Sequence, residues 1–251
     1  MIYFVGAGPG APDLITLRGK KLLEEADQII YAGSLVNPAL LDWAKPECVL
    51  HNSASMTLEE VLKCFIAGEQ KNWITLRLHT GDPSIYGAIR EQMDELKNLG
   101  FNYEVVPGVS SLSAAAAALK AEYTLPGVSQ TLILSRAAGK TPVPEGESLS
   151  SLAAHQASMV VFLSAALLET LQQELIRGGY APETPAAIVY KASWPDEKII
   201  RCTLGEIAAA GKEAGISMTA LILVGGFLGR DYERSKLYDP GFSHRYRQGT
   251  T

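Results

Sequence analysis

The sequence has few of the residues that build metal centres or disulfide frameworks. Its 251 residues include only three cysteines, Cys48, Cys64 and Cys202, and four histidines. The cysteines are odd in number and form no C-x-x-C pair, so we predict no disulfide framework and no zinc site, and we expect three buried thiols. The histidines are scattered along the chain, so we predict no metal site of any kind.

Long apolar runs and clusters of positive charge are also missing. No segment approaches the roughly 20 apolar residues that cross a bilayer, and the N-terminus lacks the basic region of a signal peptide. We therefore expect a cytoplasmic protein with no membrane partner. The formal net charge is −5 and the pI is about 5.5. No basic stripe is interleaved with aromatics, so nucleic acid is not an expected partner, and an anionic ligand would need local cations.

The composition and length fit a globular chain with two cores. Hydrophobic residues make up 47% of the sequence and charged residues 20%, which argues against extensive disorder. A chain of this length suits two α/β lobes. We predict an N-terminal lobe at residues 1–119, a linker at 120–130 marked by Pro126 and Gly127, and a C-terminal lobe at 131–251 that ends in a polar, aromatic tail.

The first loop contains a possible dinucleotide-binding pattern. Gly6, Gly8 and Ala11 follow a short apolar run and satisfy G-x-G-x-x-A. Pro9 and Pro12 remove amide donors from the loop, and no acidic residue follows the second predicted strand to hold a ribose. A dinucleotide site and a loop that merely turns the chain both remain open at this point.

The segment from Thr75 to Gly87 predicts a strand, a turn and a helix in immediate succession. Apolar and polar residues alternate through His79, and Gly81 then permits backbone angles that other residues resist. We expect Asp82 to cap a helix with Pro83 at its first position, since apolar residues recur from Ile85 at helical spacing. Asp82 is therefore either a helix cap alone or part of a binding site.

Strands and helices alternate through the first half of the chain, which predicts a largely parallel sheet. Three glycine-bearing loops, after Val5, Leu78 and Val106, would then share the carboxyl edge where such sheets bind ligands. Ser110 or Ser111 is predicted to cap the small-residue helix that follows the third loop. In the second half, a hairpin turn at residues 192–197 predicts a mixed sheet.

Taken together, these loops resemble the S-adenosylmethionine-dependent tetrapyrrole methyltransferases over nearly the whole chain. The first-lobe segments that carry the resemblance are VGAGPGAPDLIT, YAGSLVNP, SASMT, RLHTGDPSIYGAI and VVPGVSS. In the second lobe, SRAAGKTPVP, YKASWPDEKI and SKLYD resemble the branch that methylates C11 of precorrin-4 or cobalt-precorrin-4 in corrin synthesis. The resemblance implies a two-lobed α/β methylase fold and a homodimer.

The resemblance also implies a cofactor held between the lobes, largely by main chain, and a precorrin-type tetrapyrrole substrate. Asp82 is the candidate catalytic residue, as the group that positions the methyl donor. The residues that match the family's S-adenosylmethionine contacts are Pro9, Thr80, Gly81, Asp82, Ile85, Ser110, Ser111, Leu163, Ala187, Ala220 and Leu221. Because precorrins carry many carboxylates, the candidate substrate cations are Arg18, Arg77, Arg136, Lys140 and Lys191.

Three other functions remain open from the sequence. A different corrin methyltransferase would share the fold and cofactor and differ in the ring carbon that it methylates. A nicotinamide-dependent oxidoreductase is a possibility through the glycine pattern of the first loop, although the absent ribose acid counts against it. A non-catalytic tetrapyrrole carrier is the third.

Overall fold

A computed structural model describes residues 1–250 and divides the chain into two compact units. One unit holds Met1–Ala114 together with Lys191–Asp196, and the other holds Ala115–Tyr190 and Glu197–Thr251. The predicted lobe boundaries at residues 119 and 131 stay predictions. Thr251, the last residue of the predicted C-terminal lobe, lies outside the described residues.

The first unit is built on a five-stranded parallel sheet with the strand order β3-β2-β4-β1-β5. The predicted parallel sheet is therefore confirmed. Its strands are β1 (Ile2–Gly6), β2 (Gln28–Tyr31), β3 (Val49–Asn52), β4 (Thr75–His79) and β5 (Tyr103–Val106). Because β4, β1 and β5 are neighbours, the three glycine-bearing loops that follow them lie side by side, as the alternation predicted.

The central strand β4 is buried along its whole length. The alternating pattern predicted a strand here, which is confirmed, and all five of its residues are buried, including Arg77 and His79. The sheet is covered on both faces: Leu76 and Leu78 pack in one apolar cluster with Val5 and other residues, whereas Phe4 belongs to a second cluster. Parallel sheets are usually covered in this way because their crossover helices lie on both faces.

Three helices belong wholly to this unit, namely α1 (Leu17–Glu25), α2 (Leu58–Gln70) and α3 (Ile89–Asn98), and a fourth, α4 (Ser111–Leu119), begins in it. Helix α2 begins with a capping box. The Thr57 side chain accepts from the Glu60 amide at 3.4 Å, and the Thr57 amide donates to the Glu60 carboxylate at 2.8 Å. These bonds satisfy two amides that a helix start otherwise leaves unpaired.

The second unit contains a mixed five-stranded sheet with the order β6-β7-β10-β8-β9. Its strands are β6 (Leu132–Arg136), β7 (Ser158–Phe162), β8 (Pro185–Tyr190), β9 (Lys198–Thr203) and β10 (Ala220–Val224). Strands β6 and β7 are parallel and the other pairs are antiparallel, so the predicted mixed sheet is confirmed. The predicted hairpin is confirmed as well, since Tyr190 of β8 pairs with Lys198 of β9.

Three helices pack on the second sheet, namely α5 (Leu149–Ala153), α6 (Leu168–Arg177) and α7 (Ile207–Glu213). They enclose a single apolar cluster with β7, β8 and β10, including Leu171, Ile188 and Ile222. The polar tail packs on the 122–130 segment, where the Glu233 amide donates to the Pro126 carbonyl at 3.0 Å.

The cysteine prediction is wrong in one respect. Cys48, Cys64 and Cys202 are all reduced, but each is partly exposed rather than buried. Partial burial still raises the pKa of Cys48 and of Cys202 to about 11, because it disfavours the thiolate. Within residues 1–250 there is no helix that is both long and apolar enough to cross a membrane.

Candidate active site

Three glycines bring the loops after β1, β4 and β5 into direct contact. A Cβ atom added at Gly6 would lie 2.5 Å from the Gly108 Cα and 2.7 Å from the Gly81 carbonyl oxygen, and one added at Gly108 would overlap that same oxygen. Real Cβ atoms do not approach other atoms so closely, so glycine is required at both positions. The loops are therefore joined backbone to backbone at the carboxyl edge of the sheet.

Gly8 and Gly81 extend this junction by pairing their backbones. The Gly81 amide donates to the Gly8 carbonyl at 2.8 Å, and the Gly8 amide donates to the Gly81 carbonyl at 3.3 Å. Gly81 has φ +62°, a left-handed conformation that glycine adopts without strain. Pro9, a predicted cofactor contact, follows directly and is buried. The structure thus brings Pro9, Gly81 and Asp82 to one place.

Asp82 fastens the second loop to the third. Its Oδ2 atom accepts from the Gly108 amide at 2.8 Å, and its Oδ1 atom accepts from the Ser84 amide at 2.9 Å and from the Ser84 hydroxyl. Partial burial works against ionisation of this carboxyl. The hydrogen bonds from Ser84 and Gly108 together outweigh it and hold the pKa of Asp82 below its usual range.

The prediction that Asp82 and Pro83 begin a helix is wrong. Helix α3 begins at Ile89, after a turn in which Tyr86 and Ala88 adopt left-handed backbone angles of φ 55° and 49°. Asp82 instead caps the turn itself, since its carbonyl accepts from the Ile85 amide at 3.2 Å. Thr80 and Ile85, both predicted cofactor contacts, are partly exposed beside it.

The third loop ends where α4 begins, and Ser110 acts as predicted at this point. The Ser110 hydroxyl accepts from the Leu112 amide at 3.2 Å, and its carbonyl accepts from the Ser113 amide at 3.0 Å. Ser110 and Ser111 are both partly exposed. Because unpaired amides and the helix dipole favour negative groups at a helix start, these residues suit a polar or anionic ligand group.

In the second unit, the predicted contacts lie on adjacent strands. Leu163 follows β7 with φ 53° and 69% of its surface exposed. Strands β7 and β10 are antiparallel neighbours in which Val161 pairs with Ile222, so Leu163, Ala220 and Leu221 lie towards the same end of this strand pair. Ala187 pairs with Leu223 farther along and is completely buried. Leu163 is therefore the one of these four residues that presents an exposed side chain.

The candidate substrate cations differ sharply in their surroundings. Arg77 is buried and donates to the Gln92 side chain, the Ile30 carbonyl and the Ser53 hydroxyl, so it is a structural residue and not an available cation. Burial lowers the pKa of Arg77 to about 10, which leaves it charged at neutral pH.

The other four candidate cations lie nearer the surface. Arg18 pairs with Glu104, and Lys191 pairs with Asp196. Arg136 donates to the carbonyls of the loop at residues 137–142. Among residues 1–250, Lys140 alone of the five has an exposed side chain without an ion pair or hydrogen bond.

His79 is a feature that the sequence did not indicate. It is the last residue of β4, is only 5% exposed and stacks on Phe4 with ring centroids 6.1 Å apart. Within residues 1–250, its Nε2 atom has no hydrogen-bond partner. Burial, reinforced by the charge of Arg77, lowers the pKa of His79 to about 3, so the imidazole is neutral at physiological pH.

The geometry of the first loop does not favour a dinucleotide site. Helix α1 begins at Leu17, well beyond Ala11, whereas a dinucleotide-binding loop leads directly into the helix that receives the pyrophosphate. Thr16 caps α1 by accepting from the Gly19 amide at 3.1 Å, so the start of the helix has its own partner. The glycines serve the junction with the other two loops.

A family model described as Tetrapyrrole (Corrin/Porphyrin) Methylases matches residues 1–208. The chain belongs to this family. Among the curated relatives of this tetrapyrrole methylase is a cobalt-precorrin-4 C(11)-methyltransferase of Methanocaldococcus jannaschii, 54% identical over 98% of this chain and 96% of the relative. A precorrin-4 C(11)-methyltransferase of Mycobacterium tuberculosis is 45% identical over 98% of this chain and 99% of that relative's length.

Solved structures of methyltransferases share the fold of this methylase. One described as a cobalt precorrin-4 methyltransferase of cobalamin biosynthesis has a TM-score of 0.89 at 47% identity, covering 91% of this chain and 96% of that chain. A uroporphyrin-III C-methyltransferase of Thermus thermophilus, in complex with S-adenosylhomocysteine, has a TM-score of 0.74 at 28% identity. The match covers 90% of this chain and 92% of that chain. The two-lobed α/β methylase fold expected from the sequence motifs is therefore confirmed.

Proposed function

We propose that this tetrapyrrole methylase transfers a methyl group from S-adenosylmethionine to C11 of precorrin-4 or cobalt-precorrin-4. The observation that carries the proposal is the near full-length identity of 45 to 54% to enzymes named for this reaction. The glycine junction supports it, because it sets Asp82 and the start of α4 at one edge of a rigid parallel sheet. Ligands of α/β sheets bind at that edge.

The residues of the first unit fit a cofactor with one small anionic group and several hydrogen-bonding groups. A Cβ atom added at Gly81 would find nothing nearer than the Ser111 amide nitrogen, 3.6 Å away, so a ligand can approach this backbone closely. The Ser110 and Ser111 hydroxyls and the α4 start lie at the same place. We propose that Pro9, Thr80, Gly81, Asp82, Ile85, Ser110 and Ser111 hold S-adenosylmethionine, and that Leu163, Ala187, Ala220 and Leu221 also contact it.

The chemistry demands little acid–base catalysis from the chain. Bound S-adenosylmethionine supplies a sulfonium methyl group, an electrophile that needs no further activation. The residues of the chain have to bind and orient both reactants and exclude water, which can account for a large part of the rate enhancement. Asp82, ionised and held by three hydrogen bonds, is suited to fix the loop that carries Thr80 and Gly81.

The substrate carboxylates require cations, and the structure narrows the candidates. Arg77 is buried and its guanidinium is hydrogen-bonded within the first unit, whereas Lys140 lies exposed on the loop after β6. We propose Lys140 as a cation that contacts the substrate carboxylates. We further propose that the protein works in the cytoplasm as a homodimer, and that nucleic acid and membranes are not its partners.

A direct methylation assay tests the proposal. The purified protein is incubated with S-adenosylmethionine and, in parallel, cobalt-precorrin-4 and metal-free precorrin-4, and the product is analysed by mass and by carbon NMR. One added methyl group at C11 is the expected result, and the faster substrate identifies the pathway. Methylation at another ring carbon would indicate a different corrin methyltransferase. Cofactor binding without methylation of either macrocycle would refute the substrate assignment.

A further inference from the structure

Three side chains hold three consecutive residues of the first loop. The Trp194 indole donates from Nε1 to the Pro9 carbonyl at 3.0 Å, and the Asn37 amide donates from Nδ2 to the Gly10 carbonyl at 2.9 Å. The Ala11 amide donates to the Ser193 hydroxyl at 3.0 Å. All of these residues belong to the first unit, which includes Lys191–Asp196. We call Asn37, Ser193 and Trp194 the loop clasp.

The clasp also fits the loop sterically. A Cβ atom added at Gly10 would overlap the Trp194 ring, so the indole lies directly against a bare backbone. Gly8, Pro9 and Gly10 are all buried. The loop is thereby fixed at one end by the Gly8–Gly81 backbone pair and along the rest of its length by the clasp.

The turn that carries Ser193 and Trp194 is held in an uncommon conformation. Lys191 and Ser193 have φ 47° and 70°, in the left-handed region that costs energy for residues other than glycine. The Lys191 ammonium pairs with the Asp196 carboxylate at 2.7 Å, and the Trp194 amide donates to the Lys191 carbonyl at 3.0 Å. Such strain persists only where surrounding contacts fix it, and it concentrates at functional sites.

We propose that Asn37, Ser193 and Trp194 are positioning residues that keep Pro9–Ala11 in the conformation that binds the methyl donor. The inference rests on the proposed function, in which Pro9 contacts S-adenosylmethionine. A buried carbonyl without a donor is unfavourable, so a loop deprived of one clasp bond moves to conformations in which the carbonyl reaches water. If about one molecule in ten then keeps the binding conformation, the apparent Kd rises about tenfold.

Two conservative variants remove one donor each. Trp194→Phe keeps an aromatic ring over Gly10 and removes the Nε1 donor. Asn37→Asp keeps the oxygen that accepts from the Ala39 amide at 3.0 Å and removes the donor to Gly10. Trp73→Phe is the matched control, because Trp73 lies at the opposite end of β4 from the glycine junction.

Calorimetry with S-adenosylhomocysteine measures the effect. We expect a five- to tenfold higher Kd for Trp194→Phe and for Asn37→Asp, with Trp73→Phe within twofold of wild type. The KM for S-adenosylmethionine should rise in parallel while kcat stays within twofold. The double variant should bind at least about fivefold more weakly than the worse single variant, because each bond is made only in the binding conformation and its loss lowers the population of that conformation again. Wild-type affinity in both single variants, or a double variant that binds as tightly as the worse single variant, would overturn the proposal.

Hydrogen–deuterium exchange of the unliganded protein separates this inference from the proposed function. The amides of Gly10 and Ala11 should exchange at least fivefold faster in Trp194→Phe than in Trp73→Phe. If the wild type does not bind S-adenosylhomocysteine, the proposed function fails, and equal exchange in the two variants would independently show that the clasp does not hold the loop.

Discussion

Replacing Asp82 by asparagine is the sharpest test of the glycine junction. The carboxylate accepts hydrogen bonds from the Gly108 amide, the Ser84 amide and the Ser84 hydroxyl. The Gly108 bond joins two loops that are separated by 26 positions in the sequence. Asparagine has the same shape as aspartate but offers only one oxygen, so Asp82→Asn changes hydrogen bonding and leaves packing intact.

The expected loss follows from the number and type of these bonds. If the remaining oxygen stays with Ser84, the new NH₂ group faces the Gly108 amide, donor against donor at the present 2.8 Å spacing. A hydrogen bond to a charged group contributes about 1.5 to 3 kcal/mol. Asp82 is partly exposed, so we expect a loss of about 2 kcal/mol in the free energy of unfolding. Ser84→Ala removes only an exposed hydroxyl and should cost less than about 0.5 kcal/mol.

Urea unfolding at neutral pH and calorimetry with S-adenosylhomocysteine provide the two measurements. The pKa of Asp82 lies below its ordinary value of 3.8. The stability that the ionised carboxyl contributes is therefore fully present above pH 3.8, and it is lost only as the pH falls through the lower folded-state pKa. A Kd raised at least about tenfold in a fully folded variant, a loss of about 1.4 kcal/mol in binding, would support a cofactor role. Unchanged affinity in a folded Asp82→Asn protein would refute that role, and unchanged stability would refute the junction.

Two further predictions concern the same edge of the sheet. Acidification from pH 6.5 to pH 5 should destabilise the wild type by about 1.6 kcal/mol through His79, because its pKa of about 3 lies far below the unfolded value of 6.5. His79→Gln should lose most of that pH dependence in urea unfolding; equal acid sensitivity in the two proteins would contradict the prediction. Gly108→Ala should destabilise by at least about 2 kcal/mol, since its Cβ would overlap the Gly81 carbonyl. Gly146→Ala, with nothing within 4 Å, is the control and should stay within about 0.5 kcal/mol in thermal or urea unfolding.

The architecture of both sheets could be predicted from local patterns. Alternating strand and helix periods imply crossover connections, and these produce parallel strands whose following loops share one edge. The contact among Gly6, Gly81 and Gly108 follows from that arrangement once β4, β1 and β5 are neighbours. The hairpin of β8 and β9 could also be predicted from neighbouring residues, because its turn residues lie between two predicted strands.

The start of α3 and the burial of β4 could not be predicted in this way. Ile85 fits the helical spacing, yet Tyr86 and Ala88 adopt left-handed angles, and Asp82 bonds to Gly108 instead of capping α3. Arg77 belongs to an alternating segment that is typical of an exposed face. Its burial depends on Gln92 and Ser53, which lie on other elements, so the alternation gave no sign of it.

The loop clasp shows what kind of signal a sequence does contain for such long-range contacts. A loop rich in glycine and proline that becomes buried keeps carbonyl and amide groups that no strand or helix pairs, and buried backbone groups need partners. The loop at residues 8–11 therefore requires donors and an acceptor from elsewhere in the chain. Trp194 donates to a residue 185 positions earlier in the chain, and Ser193 accepts from a residue 182 positions earlier. The sequence indicates that partners must exist, but only the folded chain identifies which side chains they are.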